Sequence, residues 1–276
     1  MLTGLARPDT GQIRIGGMDC TQNPKAAQHL IGVVPDDSNL YPELTGFENL
    51  CFCGALYGMR KKARYARARQ LLEEFGLADA ANRGFGGYSR GMKRRLTIAA
   101  GIIHKPEILF LDEPTTGIDV SSARRIRHLI TELHRSGTTI FLTTHYIEEA
   151  ERLCERIAFM VKGTLVKIDT VSRLLQPVKA RHVMQLAVSG TEPSLLGKLV
   201  AAFPDLSFQN LGNGFIHVEA DEPVHVGPLV RLVEDQDVVV TEARRMRLSL
   251  EDVFMNVTGI KAAAMKKEKE KAGVRP

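Results

Sequence analysis

Two short apolar runs constrain this chain more than any other feature. Ile108-Leu109-Phe110-Leu111 stops abruptly at Asp112-Glu113-Pro114, and Thr139-Ile140-Phe141-Leu142-Thr143 stops at Thr144-His145. Continuous apolar runs of this length are the pattern of strands buried on both faces. Between them, Ser122 to Arg135 reads as a helix halted by Ser136-Gly137, and Tyr146 to Leu153 reads as another. Strand–helix–strand–helix predicts that the two strands are parallel neighbours or near neighbours. Their carboxyl ends then share one edge of the sheet, which is where ligands of open α/β sheets bind. Asp112, Glu113 and His145 are therefore expected to converge.

The rest of the chain supports an α/β unit followed by a smaller one. Pro8-Asp9-Thr10-Gly11 is turn chemistry, Gln12 to Ile15 alternates as a strand, and Leu30 to Val34 is a strand ended by Pro35. Residues 1–5 read as the last turn of a helix. Thr45 to Tyr57 reads as a helix with Thr45 as N-cap and Glu48 completing a capping box, and a further helix runs from Lys62 to Phe75. Ile157–Val161 and Thr164–Ile168 predict a hairpin around Lys162-Gly163, with a helix near Val171 to Leu175. From Arg181 to Gly259, strands at His182–Val188, Phe215–Glu219 and Val238–Glu242 are interleaved with helices at Ser194–Ala202, Gly227–Glu234 and Leu250–Val257. That alternation predicts a small α+β sandwich. The expected units are 1–177, 181–259 and a charged tail, 260–276, in which Lys266, Lys267, Lys269 and Lys271 alternate with Glu268 and Glu270. The tail is expected to be solvated and disordered.

Composition enters as a set of exclusions. The 37 basic and 32 acidic residues leave a net charge of +5 on 276 residues, an excess that suits an anionic partner without demanding nucleic acid. The basic run from Arg60 to Arg69 reads as a solvated helix face rather than a nucleic-acid patch. Cys20, Cys51, Cys53 and Cys154 form no C-x-x-C pair, so neither a zinc site nor a disulfide framework is expected. No apolar run approaches the ~18 residues of a membrane span, and the start has no signal-peptide pattern. A cytoplasmic chain is expected, with any membrane role delegated to a separate partner.

The chemistry sits at the strand ends. One carboxylate after an apolar strand can hold Mg²⁺, usually through water, while its neighbour polarises a water for in-line attack on a γ-phosphate. Asp-Glu-Pro alone also fits acids placed near a helix start. Upstream lies Gly86-Gly87-Tyr88-Ser89-Arg90-Gly91-Met92-Lys93-Arg94-Arg95, predicting a helix from Ser89 to His104 whose small residues leave backbone N–H groups open to an anion. A plain glycine loop capping a helix is the competing reading. Lys93, Arg94 and Arg95 are unfavourable in a first helical turn unless anionic groups or acids lie close.

Taken in order, Tyr-Ser-Arg-Gly-Met-Lys-Arg-Arg-Leu, then Ile-Leu-Phe-Leu-Asp-Glu-Pro-Thr-Thr-Gly-Ile-Asp, then Leu-Thr-Thr-His resembles the ABC ATPase series of signature motif, Walker B, D-loop and switch histidine, over roughly residues 1–170. The resemblance implies a P-loop NTPase fold of the ABC type with a helical subdomain, plus a small C-terminal α+β domain. It implies ATP and Mg²⁺ as ligands, with Asp112 on the metal, Glu113 as general base and His145 on the γ-phosphate. Asp119 would lie in the D-loop, and Ser89, Arg90 and Gly91 would meet ATP bound to a second subunit in a head-to-tail dimer. Membrane-spanning permease subunits are the other implied partners, placing the chain at the inner face of the cell membrane; no nucleic acid is expected. Met-Lys-Arg-Arg after Gly91, and the closing Ser249-Leu-Glu-Asp-Val-Phe-Met-Asn-Val-Thr-Gly259, resemble the branch that serves type-2 exporters, including the daunorubicin-resistance type.

Three departures stand beside that resemblance. The Walker A pattern G-x-x-x-x-G-K-[ST] does not occur; the sole Gly-Lys pair is Gly197-Lys198, followed by Leu199. The expectation is a chain that starts inside the helix following that loop, from a late start codon or as a fragment. Asp36 stands where the family has the Q-loop glutamine, so it is a candidate contact to metal or water. Tyr88 and Arg90 replace Leu and Gly of the commonest signature. Two alternatives remain beside the transporter ATPase: a truncated, catalytically silent subunit, and an ABC ATPase acting on nucleic acid or ribosomes.

Overall fold

The computed structural model describes residues 1–4, 6–179, 182–190, 194–246 and 249–259. The tail expected at 260–276 lies outside the described residues. The chain divides into two compact units, with the boundary between Tyr146 and Ile147.

The first unit opens with a turn at Met1–Gly4, closed by the Gly4 N–H donating to the Met1 carbonyl at 2.9 Å, where a helix end was expected. Leu5 lies outside the described residues. The strand expected from Gln12 shrinks to β1 (Arg14–Ile15), which pairs antiparallel with β2 (Met18–Asp19). Then follow α1 (Pro24–Leu30), β3 (Ile31–Val34), α2 (Gly46–Leu56), α3 (Lys61–Glu74), α4 (Arg90–Gly101), β4 (Ile108–Asp112), α5 (Val120–Arg135) and β5 (Thr139–Thr143). The capping box at α2 is present: Thr45 Oγ1 accepts from the Glu48 N–H at 3.1 Å, and Glu48 Oε2 accepts from the Thr45 N–H at 2.8 Å.

β3, β4 and β5 form a parallel sheet in that order, with Val33, Phe110 and Phe141 in register, as are Val34, Leu111 and Leu142. One face is packed closely. A Cβ on Gly32 would sit 2.1 Å from the Gly101 carbonyl of α4, so only glycine lets helix and strand approach this far. Leu109 and Leu111 are buried on that face. Burial on both faces, expected from the continuous apolar runs, does not hold: Phe110 is half-buried and Phe141 is 46% exposed, their rings packing 5.2 Å apart. Alternation along β4 and β5 thus marks one covered face and one open face.

The basic face of α3 is only partly solvated. Arg64 donates to the Met59 carbonyl at 3.1 Å, and Arg69 lies over the Phe47 ring. Arg67 reaches Glu74 at 3.8 Å with little of its side chain exposed.

The second unit begins with α6 (Ile147–Leu153), β6 (Arg156–Val161), β7 (Thr164–Thr170) and α7 (Val171–Lys179). Lys162 (φ 49°) and Gly163 (φ 79°) supply the left-handed pair that a two-residue β6–β7 turn demands. β8 (His182–Ser189), α8 (Leu195–Ala202), β9 (Ser207–Gly212), β10 (Phe215–Ala220), α9 (Val226–Glu234) and β11 (Val239–Met246) follow. Their strands form an antiparallel sheet, order β11-β8-β10-β9, over a core that includes Leu186, Leu199, Val218, Leu229 and Val233. The last helix, α10 (Leu250–Thr258), does not pack into that core. Its Leu250, Val253 and Phe254 cluster with Ile157, Phe159 and Leu174. Ser249 and Asp252 form its capping box, and Gly259 (φ 70°) closes it in the left-handed conformation. All four cysteines are free: Cys51 is buried and the other three are half-buried.

Candidate functional site

The parallel register of β4 and β5 sets Asp112 beside Thr143, and the chain turns out of the sheet immediately afterwards. Thr143 Oγ1 donates to Asp112 Oδ1 at 2.5 Å, which orients a carboxylate that remains exposed. Glu113 sits on the opposite side of that turn. Its φ of 47° is the left-handed region that β-carbon-bearing residues rarely enter, and its N–H donates to the Thr143 carbonyl at 3.0 Å. This twist carries the Glu113 side chain inward, to 5% exposure. There His145 Nδ1 lies 2.8 Å from Glu113 Oε2, and Thr116 Oγ1 donates to the same oxygen at 3.0 Å. Facing a carboxylate oxygen, which can only accept, Nδ1 is the donor of this bond. Two adjacent acids thus have different surroundings: one open to solvent, one buried and clamped.

Arg94 is the residue of this junction to which reading the sequence gave no place. It is 6% exposed and donates to four backbone carbonyls. Its Nε reaches Pro114 at 3.0 Å, Nη1 reaches Asp36 at 3.0 Å and also Pro35, and Nη2 reaches Asp112. One guanidinium therefore ties α4 to the loop after β3 and to both sides of Glu113. Arg95 donates to the carbonyls of Phe75 (2.6 Å) and Gly76 (3.0 Å), capping the C-terminal end of α3. The basic run was expected to need acids nearby; carbonyl dipoles meet much of that need. The signal was available in the helical phase. Gly91, Arg94, Arg95, Ile98, Ala99 and Ile102 fall at i, i+3, i+4, i+7, i+8 and i+11, so both arginines lie on the stripe that faces the core. Asp36 itself is exposed, and Arg94 draws its carbonyl into this junction. Beside it, Ser38 and Thr97 of α4 share a hydrogen bond of 2.8 Å.

At the other end of α4, Ser89 is the N-cap, its Oγ accepting from the Met92 N–H at 3.3 Å. Ser89 and Arg90 are exposed and Gly91 is buried. A Cβ on Gly91 would lie 2.4 Å from Ser122 Oγ and 3.8 Å from Asp119 Oδ2, so glycine lets α4 abut the start of α5. Arg90 extends over Gly117, whose own Cβ would lie 3.8 Å from Arg90 Nη1. Asp119 is the N-cap of α5: Oδ1 accepts from the Ser122 N–H at 2.9 Å and from Ser121 Oγ at 2.8 Å. The bond from the Ser122 backbone, with the serine hydroxyls, holds its carboxyl down at about 2. The fold thus brings Asp112, Glu113 and His145 into one group and Ser89, Arg90, Gly91 and Asp119 into a second.

Residues 1–116 match the family model of the ABC transporter. The chain is 34% identical over 261 residues to the linearmycin resistance ATP-binding protein LnrL of Bacillus subtilis, covering 94% of this chain and 84% of that protein. The chain belongs to the ATP-binding subunits of ABC transporters. A second relative in this family, the daunorubicin resistance ATP-binding protein DrrA2 of Streptomyces coeruleorubidus, is also 34% identical, with 94% and 81% of the two chains covered. Among solved structures, the dimeric ATP-binding cassette MJ0796, in a post-hydrolysis state bound to ADP and Pi, aligns with a TM-score of 0.55 and 26% identity over 61% of this chain and 77% of that one. The fold is accordingly that of a P-loop NTPase of the ABC type, and this ABC subunit is by family an ATP hydrolase. The daunorubicin-resistance-like branch expected from the residues after Gly91 is the one its relatives occupy.

Proposed function

We propose that this ABC subunit powers export through separate membrane-spanning subunits, with Glu113 as the base that activates water. The observation that carries the reading is the Glu113–His145 pair at 2.8 Å, set beside an exposed Asp112 at the carboxyl edge of a parallel sheet. Glu113 is buried and oriented by His145 and Thr116, so its carboxylate is fixed where an incoming water would lose its proton. The water oxygen bonds to the γ-phosphorus, the bond to the β–γ bridging oxygen breaks, and ADP and phosphate result. His145 keeps Glu113 in position through Nδ1, and its other ring nitrogen meets the γ-phosphate as a donor.

Asp112 suits Mg²⁺. It offers a hard, exposed oxygen whose orientation Thr143 sets. Among the described residues no cluster of three or more His, Cys, Asp or Glu side chains could hold a metal. A single protein carboxylate with water and substrate phosphates completing the shell is the usual Mg²⁺ arrangement. Bound there, the ion would neutralise phosphate charge.

Ser89, Arg90 and Gly91 form the second half of a composite site: they meet ATP held by a second ATPase subunit in a head-to-tail dimer, with Asp119 at the same interface. Dimeric MJ0796, a structural relative, supports this arrangement. Asp36, in the Q-loop place, contacts metal or water at the γ-phosphate. Drug-resistance relatives support export as the direction, and the partners are permease subunits at the inner face of the cell membrane. Among the described residues no helix is long and apolar enough to cross a membrane. The sheet of β8 to β11 is an accessory unit that takes no part in hydrolysis.

The test is Glu113→Gln. The G-x-x-x-x-G-K-[ST] pattern does not occur in these 276 residues, so turnover is measured on the chain extended by such a segment. The amide keeps the size of the carboxylate and cannot take a proton. A fall in kcat of about 10²–10⁴-fold is expected, with ATP binding retained. Turnover at the unmodified rate would remove Glu113 from the mechanism.

A further inference from the structure

Residues 83–86 are zipped to the segment before α2. Phe85 N–H donates to the Leu44 carbonyl at 2.8 Å, Gly86 N–H to Pro42 at 3.0 Å, and Gly46 N–H to Arg83 at 3.3 Å. Thr45 and Gly84 form an antiparallel bridge at the centre. The zipper ends at Gly86. The N–H groups of Gly87 and Tyr88 turn back onto their near neighbours Gly84 and Phe85, and Ser89 then begins α4. Across that gap it is the Tyr88 side chain that reaches back. Tyr88 is 5% exposed, and its hydroxyl donates to the Ala80 carbonyl at 2.7 Å. Burial pushes its phenol above the ordinary range, so the donor stays protonated.

Gly46 is shaped to this hydroxyl. It is the first residue of α2, and its φ is not in the left-handed region, so the backbone does not require glycine. A Cβ there would stand 2.2 Å from the Tyr88 hydroxyl and 3.1 Å from the ring carbon that bears it. The space left by Gly46 is what allows the phenol to reach Ala80. The Phe47 N–H meanwhile donates to the Ala81 carbonyl at 2.9 Å, so the α2 start, residues 80–83 and Tyr88 form one joint. Ser89 follows Tyr88 directly.

We propose that Tyr88 is a positioning residue for the phosphate-contacting turn, fixing Ser89 and Gly91 relative to the start of α2 by its hydroxyl bond to Ala80 across the gap left at Gly46. The proposal rests on the reading of Ser89 and Gly91 as nucleotide contacts. A phenylalanine at this place would fill the same apolar volume without the bond. Tyrosine therefore adds a directional tie that transmits any displacement of α2 to the N-cap of α4.

The test uses Tyr88→Phe, Gly46→Ala and the double variant. In the 276-residue protein, Tyr88→Phe is expected to speed amide exchange of residues 89–92 by about fivefold to tenfold, the loss of one buried hydrogen bond, with exchange in β4 unchanged. Gly46→Ala is expected to lower the melting temperature of the parent, and to lower it less when combined with Tyr88→Phe, because the closest clash is with the hydroxyl itself. In the chain extended by the G-x-x-x-x-G-K-[ST] segment, Tyr88→Phe is expected to raise KM for ATP severalfold while kcat stays within about twofold. Unchanged exchange at 89–92, or additive melting shifts, would overturn the proposal. Ser89→Ala distinguishes the underlying reading: if it leaves KM for ATP unchanged, the turn does not meet phosphate and the functional half of the proposal falls, whatever the exchange rates show.

Discussion

The parallel sheet of β3, β4 and β5 and the antiparallel sheet of β8 to β11 solve the same burial problem in opposite ways. Most of the buried polar side chains of the first unit gather around α4 and the end of β4: Arg94, Arg95, Thr97, Glu113 and Thr115, with Asn49 of α2 buried apart from them. The core of the second sheet is built from apolar residues, among them Leu186, Leu199, Val218, Leu229 and Val233. A buried polar group lowers stability unless its hydrogen bonds are met, so a fold that keeps several must fix the geometry of each one. The first region is therefore exact in position and sensitive to small chemical changes. The second is tolerant of chemistry and sensitive to volume.

Arg94 is where that contrast is sharpest. Arg94→Ala removes the donor to the carbonyls of Pro35, Asp36, Asp112 and Pro114 at once. Charged hydrogen bonds of this kind contribute on the order of 1.5–3 kcal/mol each, less whatever water recovers, so a loss of about 4 kcal/mol is expected in chemical denaturation. Arg94→Lys keeps the charge but cannot span four carbonyls, and should recover only part of that loss. If alanine costs under about 1 kcal/mol, the junction is not what holds the loop after β3 to β4.

Leu229→Ala probes the other region. Leu229 is wholly buried in the antiparallel-sheet core, and truncation there should cost about 3 kcal/mol through lost burial and a residual cavity. The contrast predicts that the folded fraction keeps an unaltered kcat for ATP, since none of the residues proposed for catalysis lies beyond His145. A variant that folds fully yet loses turnover would assign β8 to β11 a part in hydrolysis.

How far each region was legible follows from the same contrast. The strands at Ile108–Asp112, Thr139–Thr143 and Ile31–Val34 announced themselves as apolar runs, and the Thr45–Glu48 capping box and the Lys162-Gly163 turn carry local chemistry that needs no tertiary context. α1 was missed because seven residues behind an Asn23 that makes no side-chain cap leave little periodicity to read. β9 was missed because it is an edge strand, mostly exposed, with Phe208 its single half-buried apolar residue. The inward twist at Glu113 was illegible for a different reason. A positive φ at glutamate contradicts local preference, and the contacts to Thr143, Thr116 and His145 that accompany it come from distant or following chain.

The smallest effect tests the edge of the polar region, at Asp119. Its carboxyl is held at about 2 by the Ser122 N–H and the hydroxyls of Ser122 and Ser121, against 3.8 for the free group. A depressed carboxyl binds protons less readily in the folded state than in the unfolded one. Its contribution to stability is therefore complete above about 3.8 and is lost as pH falls through about 2. Asp119→Asn keeps a side-chain oxygen to cap α5 but removes the titration. The variant should unfold with a shallower acid dependence between those two values and should match the parent most closely at the acid end. Because Asp119 is fully exposed, the difference should shrink further in high salt. Unfolding curves taken across that window, parent beside variant, read the slope directly. Identical slopes would show that the Asp119–Ser122 cap carries no net charge-dependent stability, leaving the close approach of α4 and α5 to the fit of Gly91 against Ser122 alone.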